Sequence, residues 1–168
     1  PDNATPGTEF IDVEIADQKT SASFWLQGVE GATGTVTITF SATGFVSTTK
    51  DLDVVQPALA IVSLGLSPST ASADYPFVVR IGTPSGNGVS FQYVRAGNAG
   101  LTATITTRND TVGVLVTDDG GGGEITGDTA TVQLGPGVFD SPNSVAAGGV
   151  ARRPLASGDT TVSASSPG

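Results

Sequence analysis

The stretch of sequence that decides the fold is residues 34–44, which read GTVTITFSATG. Apolar Val36, Ile38 and Phe40 alternate with threonines, so an extended chain is apolar on one side and polar on the other. β-Branched side chains also lose rotamer freedom in a helix and fit a pleated sheet. The stretch therefore predicts a β-strand with one face toward a core.

Similar apolar stretches recur along the chain, separated by turns rich in glycine and proline. They are residues 11–15, 24–26, 52–54, 59–61, 77–79, 101–106, 112–116, 132–134 and 160–164. No window of helical length shows a clean period of 3.6 residues, and the nearest candidate, residues 141–147, is short. This spacing predicts an all-β fold of the sandwich type.

The chain carries a second copy of the opening stretch. Residues 158–168, GDTTVSASSPG, align without gaps with residues 34–44 at a spacing of about 124 residues, the size expected of one immunoglobulin-like module. The first copy runs on through a further strand and closes at Pro57, whereas the second stops at Gly168. We therefore predict a boundary at Pro57. Residues 1–57 would be the terminal strands of one module, or a strand-donating segment, and residues 58–168 a module lacking its final strand.

Residues 57–168 resemble the immunoglobulin-like repeats that occur in tandem in very large bacterial surface proteins. The matching segments are LAI at 59–61, YPFVVRIG at 75–82, VRAG at 94–97, VAAGGV at 145–150 and TTVSAS at 160–165, followed by Pro167-Gly168. The resemblance implies an immunoglobulin-like β-sandwich from an adhesin stalk or extracellular fibre, at the cell surface or outside the cell. It implies a structural role more than an activity.

Composition excludes several classes of function. The 168 residues include no histidine or cysteine, so a Ser–His–Asp triad, a thiol nucleophile and an ordinary zinc site are excluded. Its 16 acidic and 7 basic side chains give a net charge of −9, which argues against nucleic acid and anionic membranes as partners. No apolar run approaches the roughly 18 residues of a membrane span. Because no acid–base or nucleophilic set stands out, we expect no enzyme.

The segment after the first copy of the repeat would complete the second module. Its apolar residues are Val46, Leu52, Val54 and Val55. A sheet without this strand has an open edge, which is an aggregation liability. Either the polypeptide continues in a longer array, or the equivalent segment of a neighbouring copy completes the sheet by strand addition. The second alternative gives a head-to-tail fibre of copies of the chain.

A glycine-rich acidic run offers a candidate metal site. Asp118, Asp119 and Glu124 flank the four glycines 120–123, and three carboxylates on one loop would suit Ca²⁺, which prefers six to eight oxygen ligands. The spacing does not match a helix–loop–helix calcium site. The alternative is a solvated hairpin loop whose aspartates cap the turn. Calcium is the one cofactor that the sequence suggests.

Trp25 is the candidate ligand-binding aromatic residue. An exposed Trp25 beside Phe24, or the pair Phe91 and Tyr93, would form an aromatic platform. This gives the alternative function, a glycan- or protein-binding β-sandwich module of a secreted protein that recognises a surface glycan or receptor. The competing interpretation places these rings in the core, where sandwiches usually hold a tryptophan and a few other aromatic residues.

Overall fold

A computed structural model describes residues 5–29, 31–65, 67–97 and 99–167. Within these ranges the fold is all-β, with antiparallel pairing throughout and one short 3₁₀ turn. The strands are β1 Gly34–Phe40, β2 Thr48–Val54, β3 Ala58–Val62, β4 Tyr75–Ser85, β5 Gly88–Phe91, β6 Leu101–Thr107, β7 Gly113–Asp118, β8 Glu124–Gly127, β9 Thr129–Leu134, β10 Val150–Pro154 and β11 Val162–Ser165. The all-β prediction is confirmed.

The quoted stretch forms strand β1. It pairs with β2 as a two-stranded sheet, in a register that sets Val36 opposite Leu52 and Thr39 opposite Thr49. Among the described residues no third strand joins this hairpin. Two strands alone are marginally stable in water, so the hairpin depends on packing against something else.

The remaining strands form two sheets. The larger has the order β3-β4-β10-β7-β8, with β5 paired to β4, and the smaller has the order β11-β6-β9. β4 is long enough to pair with two strands in succession. Tyr75 and Phe77, near its start, pair with β10, and Gly82, further along, pairs with β5. Consecutive strands pair in β3–β4, β4–β5 and β7–β8, whereas β4–β10, β7–β10, β6–β9 and β6–β11 pair strands that are distant in sequence.

One hydrophobic core lies between the two sheets. Phe77 and Val79 of β4, Leu115 of β7 and Val150 of β10 face it from the larger sheet. From the smaller sheet come Ala103, Ile105, Ala130, Val132 and Leu134. Burying each large side chain contributes roughly 1.5–3 kcal/mol. The arrangement is a sandwich-like pair of antiparallel sheets.

Two predicted strands do not form. Residues 11–15 and 24–26 lie outside every strand, although Ile11, Val13 and Ile15 alternate as expected. Alternation creates an apolar face, but a strand also needs a neighbour with which to exchange backbone hydrogen bonds. Residues 145–147 of the short helical candidate form the 3₁₀ turn, which ends at Gly148 with φ of 85°.

The predicted boundary at Pro57 lies in the connection between β2, which ends at Val54, and β3, which begins at Ala58. It stays a prediction. No helix among the described residues is long and apolar enough to cross a membrane.

Candidate functional site

The β1–β2 hairpin has one polar face and one apolar face. On the polar face Thr35 Oγ1 donates a hydrogen bond to Asp53 Oδ1 (2.8 Å) and Thr37 Oγ1 donates one to Asp51 Oδ1 (2.7 Å). These cross-strand pairs fix the register of the two strands. The apolar face therefore has a defined shape, which is the first requirement of a surface for a partner.

The apolar face of this hairpin is largely open to solvent. It carries Val36, Ile38 and Phe40 from β1 and Leu52 and Val54 from β2, and the register also places Thr48 and Lys50 on this side. Val36, Phe40 and Leu52 are exposed. Phe24 covers one corner, with its ring centroid 5.8 Å from that of Phe40. Its exposure makes this apolar sheet face a candidate interaction surface.

The predicted strand-completing residues lie in and around β2. Leu52 and Val54 belong to β2, opposite Val36 and Gly34. Val46 is 97% exposed in the connection before β2, and Val55 is exposed just after it. The structure thus brings Leu52 and Val54 onto one apolar face and leaves Val46 and Val55 outside the strand.

β11 is the end strand of the smaller sheet. It pairs with β6, and no described strand pairs with its second edge. The backbone N–H of Arg108 donates to the carbonyl oxygen of Thr161. Since antiparallel pairs alternate, the N–H groups of Val162 and Ala164 point toward the free edge. Unpaired backbone groups in a row are a template for another strand.

The predicted repeat aligns this end strand with the hairpin. In that alignment residues 162 and 164 of β11 correspond to residues 38 and 40 of β1. Val162 and Ala164 pack against the core, whereas Phe40 is exposed on the hairpin. The corresponding face is therefore covered in β11 and largely uncovered in β1.

The strand directions define two ends of the sandwich-like unit. Gly113, the first residue of β7, pairs with Pro154, and Arg152 pairs with Tyr75 at the start of β4. Thr107, at the end of β6, donates a hydrogen bond from Oγ1 to the Gly113 carbonyl oxygen at 3.4 Å. We call this the Gly113 end.

β3 begins, and β11 ends, at the end of the sandwich-like unit opposite the Gly113 end. Ala58, where β3 begins, pairs with Gly82, and β4 has run away from the Gly113 end to reach it. β11 also runs away from the Gly113 end, because Val162 lies opposite Thr107, near that end, and Ser165 lies opposite Thr104, farther from it. The chain thus enters β3 and leaves β11 at the same end.

The acidic glycine run forms a structured hairpin loop. Asp118 accepts a hydrogen bond from the Gly120 N–H, and Asp119 Oδ1 accepts from the N–H groups of Gly121 (2.7 Å) and Gly123 (2.9 Å). The Gly121 bond, followed by the Gly123 bond, holds the pKa of Asp119 below its ordinary value.

Glu124 points to a different partner. Its Oε2 accepts a hydrogen bond from Arg153 at 2.6 Å, and Arg153 is also paired with both carboxylate oxygens of Asp74. The Asp74 bonds, then the Glu124 bond, raise the pKa of Arg153. In the described ranges no three carboxylates gather into a metal-binding group, so Ca²⁺ coordination by these residues would need the loop to rearrange. The calcium site stays a prediction.

Trp25 is 57% exposed and lies outside any strand. The core interpretation of Trp25 therefore does not hold in this structure. Phe91 and Tyr93 are also exposed in part, and both contact Phe139, a residue that the sequence reasoning missed. Phe139 is far from both in sequence, and no local pattern brings the three together.

Comparison with known proteins gives no match to a family model, a curated protein or a solved structure.

Proposed function

We propose that this protein is a structural subunit of an extracellular fibre or adhesin stalk, built from immunoglobulin-like β-sandwich modules. Copies would assemble head to tail, with the segment around β2 of one copy completing the sheet of the next at β11. The observation that carries the proposal is the match between a hairpin with an uncovered apolar face and an end strand with an unpaired edge. Both belong to the same sequence repeat.

The register of β1 and β2 specifies how the added strand would lie. If β11 takes the place of β1, Thr49 lies opposite Ser163, Lys50 opposite Val162 and Thr48 opposite Ala164. Leu52 and Lys50 would then lie on the same side of the sheet as Val162, with Leu52 next to β3, which approaches β11 at the corner of the sandwich. Because β2 leaves β1 in this exchange, the backbone hydrogen bonds formed with β11 replace those of the β1–β2 ladder.

Strand direction supports a head-to-tail array. A strand added antiparallel to β11, as β2 is to β1, runs toward the Gly113 end. The completed module then has its entry into β3 at one end and its exit at the other. Modules joined in this way follow each other along one axis, which is the geometry of a fibre.

The chemistry of the chain fits a passive load-bearing role outside the cell. Antiparallel ladders distribute force over many backbone hydrogen bonds, and the proline after Gln56 restricts bending at the proposed junction. A net charge of −9 keeps neighbouring copies apart except where a specific edge is shared. The partners we propose are copies of the chain, without nucleic acid or membrane insertion, and no catalysis is required.

A second candidate function, binding of a glycan or a surface protein, is favoured by one observation. Trp25 exposes more than half of its surface although it is the one tryptophan of the chain. Exposed tryptophan side chains are common where a protein meets a ligand. A Trp25 emission maximum that shifts when a soluble sugar is added would support this role.

Sedimentation velocity over a wide concentration range tests the fibre proposal. We expect the wild-type chain to form a series of oligomers at high concentration. Leu52→Asp would abolish the series, because it puts a carboxylate in place of the apolar side chain that assembly buries beside β3. Ile125→Asp is the matched control, since Ile125 is an exposed apolar residue on β8, away from β11. A wild-type chain that keeps its β-sheet circular dichroism and stays monomeric at millimolar concentration would refute strand exchange.

A further inference from the structure

Three aromatic rings form a contiguous cluster on the surface of the sandwich-like unit. The ring centroids of Phe91 and Phe139 are 4.6 Å apart, those of Tyr93 and Phe139 are 5.3 Å apart, and those of Phe91 and Tyr93 are 6.4 Å apart. Phe91 and Tyr93 meet nearly edge to face, at 84°. These separations lie within the range in which aromatic pairs attract each other beyond simple burial. We call this group the aromatic surface.

Backbone pairing holds the rings in place. Phe91 ends β5 opposite Gly82 of β4. Phe139 accepts a hydrogen bond at its carbonyl oxygen from the Ile81 N–H (2.9 Å), and Val94 donates its N–H to the carbonyl oxygen of Val138 (2.8 Å). Three separate segments are thus fixed side by side, so the rings form one surface before any ligand arrives.

The aromatic surface is not part of the core. Phe91 is 52% exposed and Tyr93 is 44% exposed, whereas Phe77 on the same sheet is 1% exposed. Val138, next to Phe139, is exposed as well. Leaving this much apolar area in water forgoes stabilisation, so its presence indicates contact with something outside the unit.

A fixed pair of opposite charges borders the rings. Arg80 Nε and Nη2 each donate a hydrogen bond to one carboxylate oxygen of Asp140, both at 2.7 Å. The guanidinium carbon of Arg80 lies 5.4 Å from the centroid of the Phe139 ring, within cation–π range. Each side chain keeps close to a third of its surface exposed, 30% for Arg80 and 29% for Asp140. Donors and acceptors therefore stand at the border of the aromatic surface in a set geometry.

We propose that the aromatic surface, with Arg80 and Asp140 at its border, binds a neutral glycan. A pyranose ring has an apolar face of C–H groups, which pack on aromatic rings, and a rim of hydroxyl groups, which both donate and accept hydrogen bonds. The aromatic rings would pack on the apolar face of the sugar, and the Arg80–Asp140 pair would exchange hydrogen bonds with its hydroxyl groups. This role goes beyond the proposed structural function, since it gives a fibre subunit a contact with its surroundings.

The charge of the site and of the chain argues for a neutral ligand. Arg80 and Asp140 neutralise each other, so the border offers hydrogen bonds without a net charge. The chain as a whole carries −9, which disfavours sulfated glycans and those rich in uronic acids.

Isothermal titration calorimetry on the full chain, at concentrations where it is monomeric, tests the proposal without requiring assembly. The probes are soluble hexasaccharides of glucose, galactose, mannose and N-acetylglucosamine. We expect at least one to bind. Tyr93→Leu keeps an apolar side chain but removes the ring, and should weaken binding at least tenfold. Arg80→Lys, which keeps the charge but loses the bidentate pair, should also weaken it.

A control variant separates this surface from the rest of the molecule. Phe45→Ala removes an exposed ring from the first third of the chain and should leave binding unchanged. The proposal is overturned if none of the four hexasaccharides binds, or if Tyr93→Leu, shown to be folded by circular dichroism, does not reduce binding.

Discussion

The molecule has two regions, residues 5–57 and residues 58–167. Both carry stretches in which apolar and polar residues alternate, but the two regions differ in how many of their side chains are buried. None of the described residues before position 58 is buried, whereas the second region holds every buried hydrophobic side chain of the described chain, including Phe77, Leu115 and Val150. Most of the exposed large hydrophobic side chains lie in the first region. The stretch that contains β1, residues 34–44, also aligns without gaps with the stretch that contains β11, residues 158–168.

The difference shows what an alternating pattern specifies. Alternation makes both β1 and β11 strands and gives each one an apolar face. Burial of that face requires a second sheet, which β11 finds in the core and β1 does not find among the described residues. The first region therefore keeps an apolar strand face exposed, and the second has in β11 a strand edge without a described neighbour.

The largest difference between the regions should come from truncating aromatic side chains. Phe77→Ala in the core should lower the free energy of unfolding by about 3–5 kcal/mol, because it removes buried area and leaves a cavity. Phe45→Ala, in the exposed connection after β1, should change it by less than about 0.5 kcal/mol. Urea denaturation of the dilute chain measures both. Similar losses for the two variants would show that the first region has a core of its own.

Substitution of a glycine should give the next largest difference in stability between the two regions, because backbones pack closely in only one of them. A Cβ atom at Gly82 would overlap the carbonyl oxygen of Ser90 on β5, so Gly82→Ala should destabilise the chain by about 1–3 kcal/mol. At Gly28, in the first region, a Cβ atom would meet Val54 only at an ordinary 3.6 Å. Gly28→Ala should therefore be tolerated. A shift in melting temperature for Gly28→Ala as large as that for Gly82→Ala would contradict this contrast.

Arg152 offers a substitution that should raise, instead of lower, the free energy of unfolding. It is only 9% exposed, and its Nε finds no hydrogen-bond acceptor among the described residues. Because an unpaired buried donor is costly, Arg152→Met should raise the free energy of unfolding by roughly 1–3 kcal/mol. Lys50→Met on the exposed hairpin should leave it nearly unchanged. Chemical denaturation that finds Arg152→Met less stable than the wild type would show that Arg152 is satisfied in solution.

The smallest change in stability is expected from a substitution in the loop between β7 and β8. The lowered pKa of Asp119 means that its ionised form stabilises the fold above pH 3.8, its ordinary value. That contribution is lost as the pH falls through the lowered value. Asp119→Asn should therefore show a shallower loss of stability between pH 4 and pH 2 than the wild type. Identical slopes in acid titrations followed by circular dichroism would mean that the loop does not hold its carboxylate in solution.

The sequence predicts the local features of the fold well. The alternation around Val36, Ile38 and Phe40 indicates strand β1, and the turn residues separate most of the other strands. It fails where structure depends on distant partners. Ile11, Val13 and Ile15 have the alternating pattern of a strand but lie outside every strand of the described chain.

The aromatic surface shows the same limit. Phe91 and Tyr93 are adjacent by alternation, but Phe139 joins them only because its backbone bonds to Ile81 of β4. Arg80 and Asp140 likewise meet across that pairing. Long-range pairing of this kind has no signature in a single sequence, so the residues around a site are harder to predict than the strands that carry them.

Disulfide trapping between copies tests the central claim, that β2 of one copy completes the sheet of another at β11. The chain has no cysteine, so Thr49→Cys in one preparation and Ser163→Cys in another give a single designed crosslink. In the register of β1 and β2 these positions lie directly opposite each other, within reach of a disulfide. We predict a covalent dimer on oxidation of the mixture, with little product when Thr48→Cys, on the other face, replaces Thr49→Cys. No dimer from the Thr49 and Ser163 pair, at concentrations where a Thr39→Cys and Thr49→Cys double variant closes within one chain, would contradict the account.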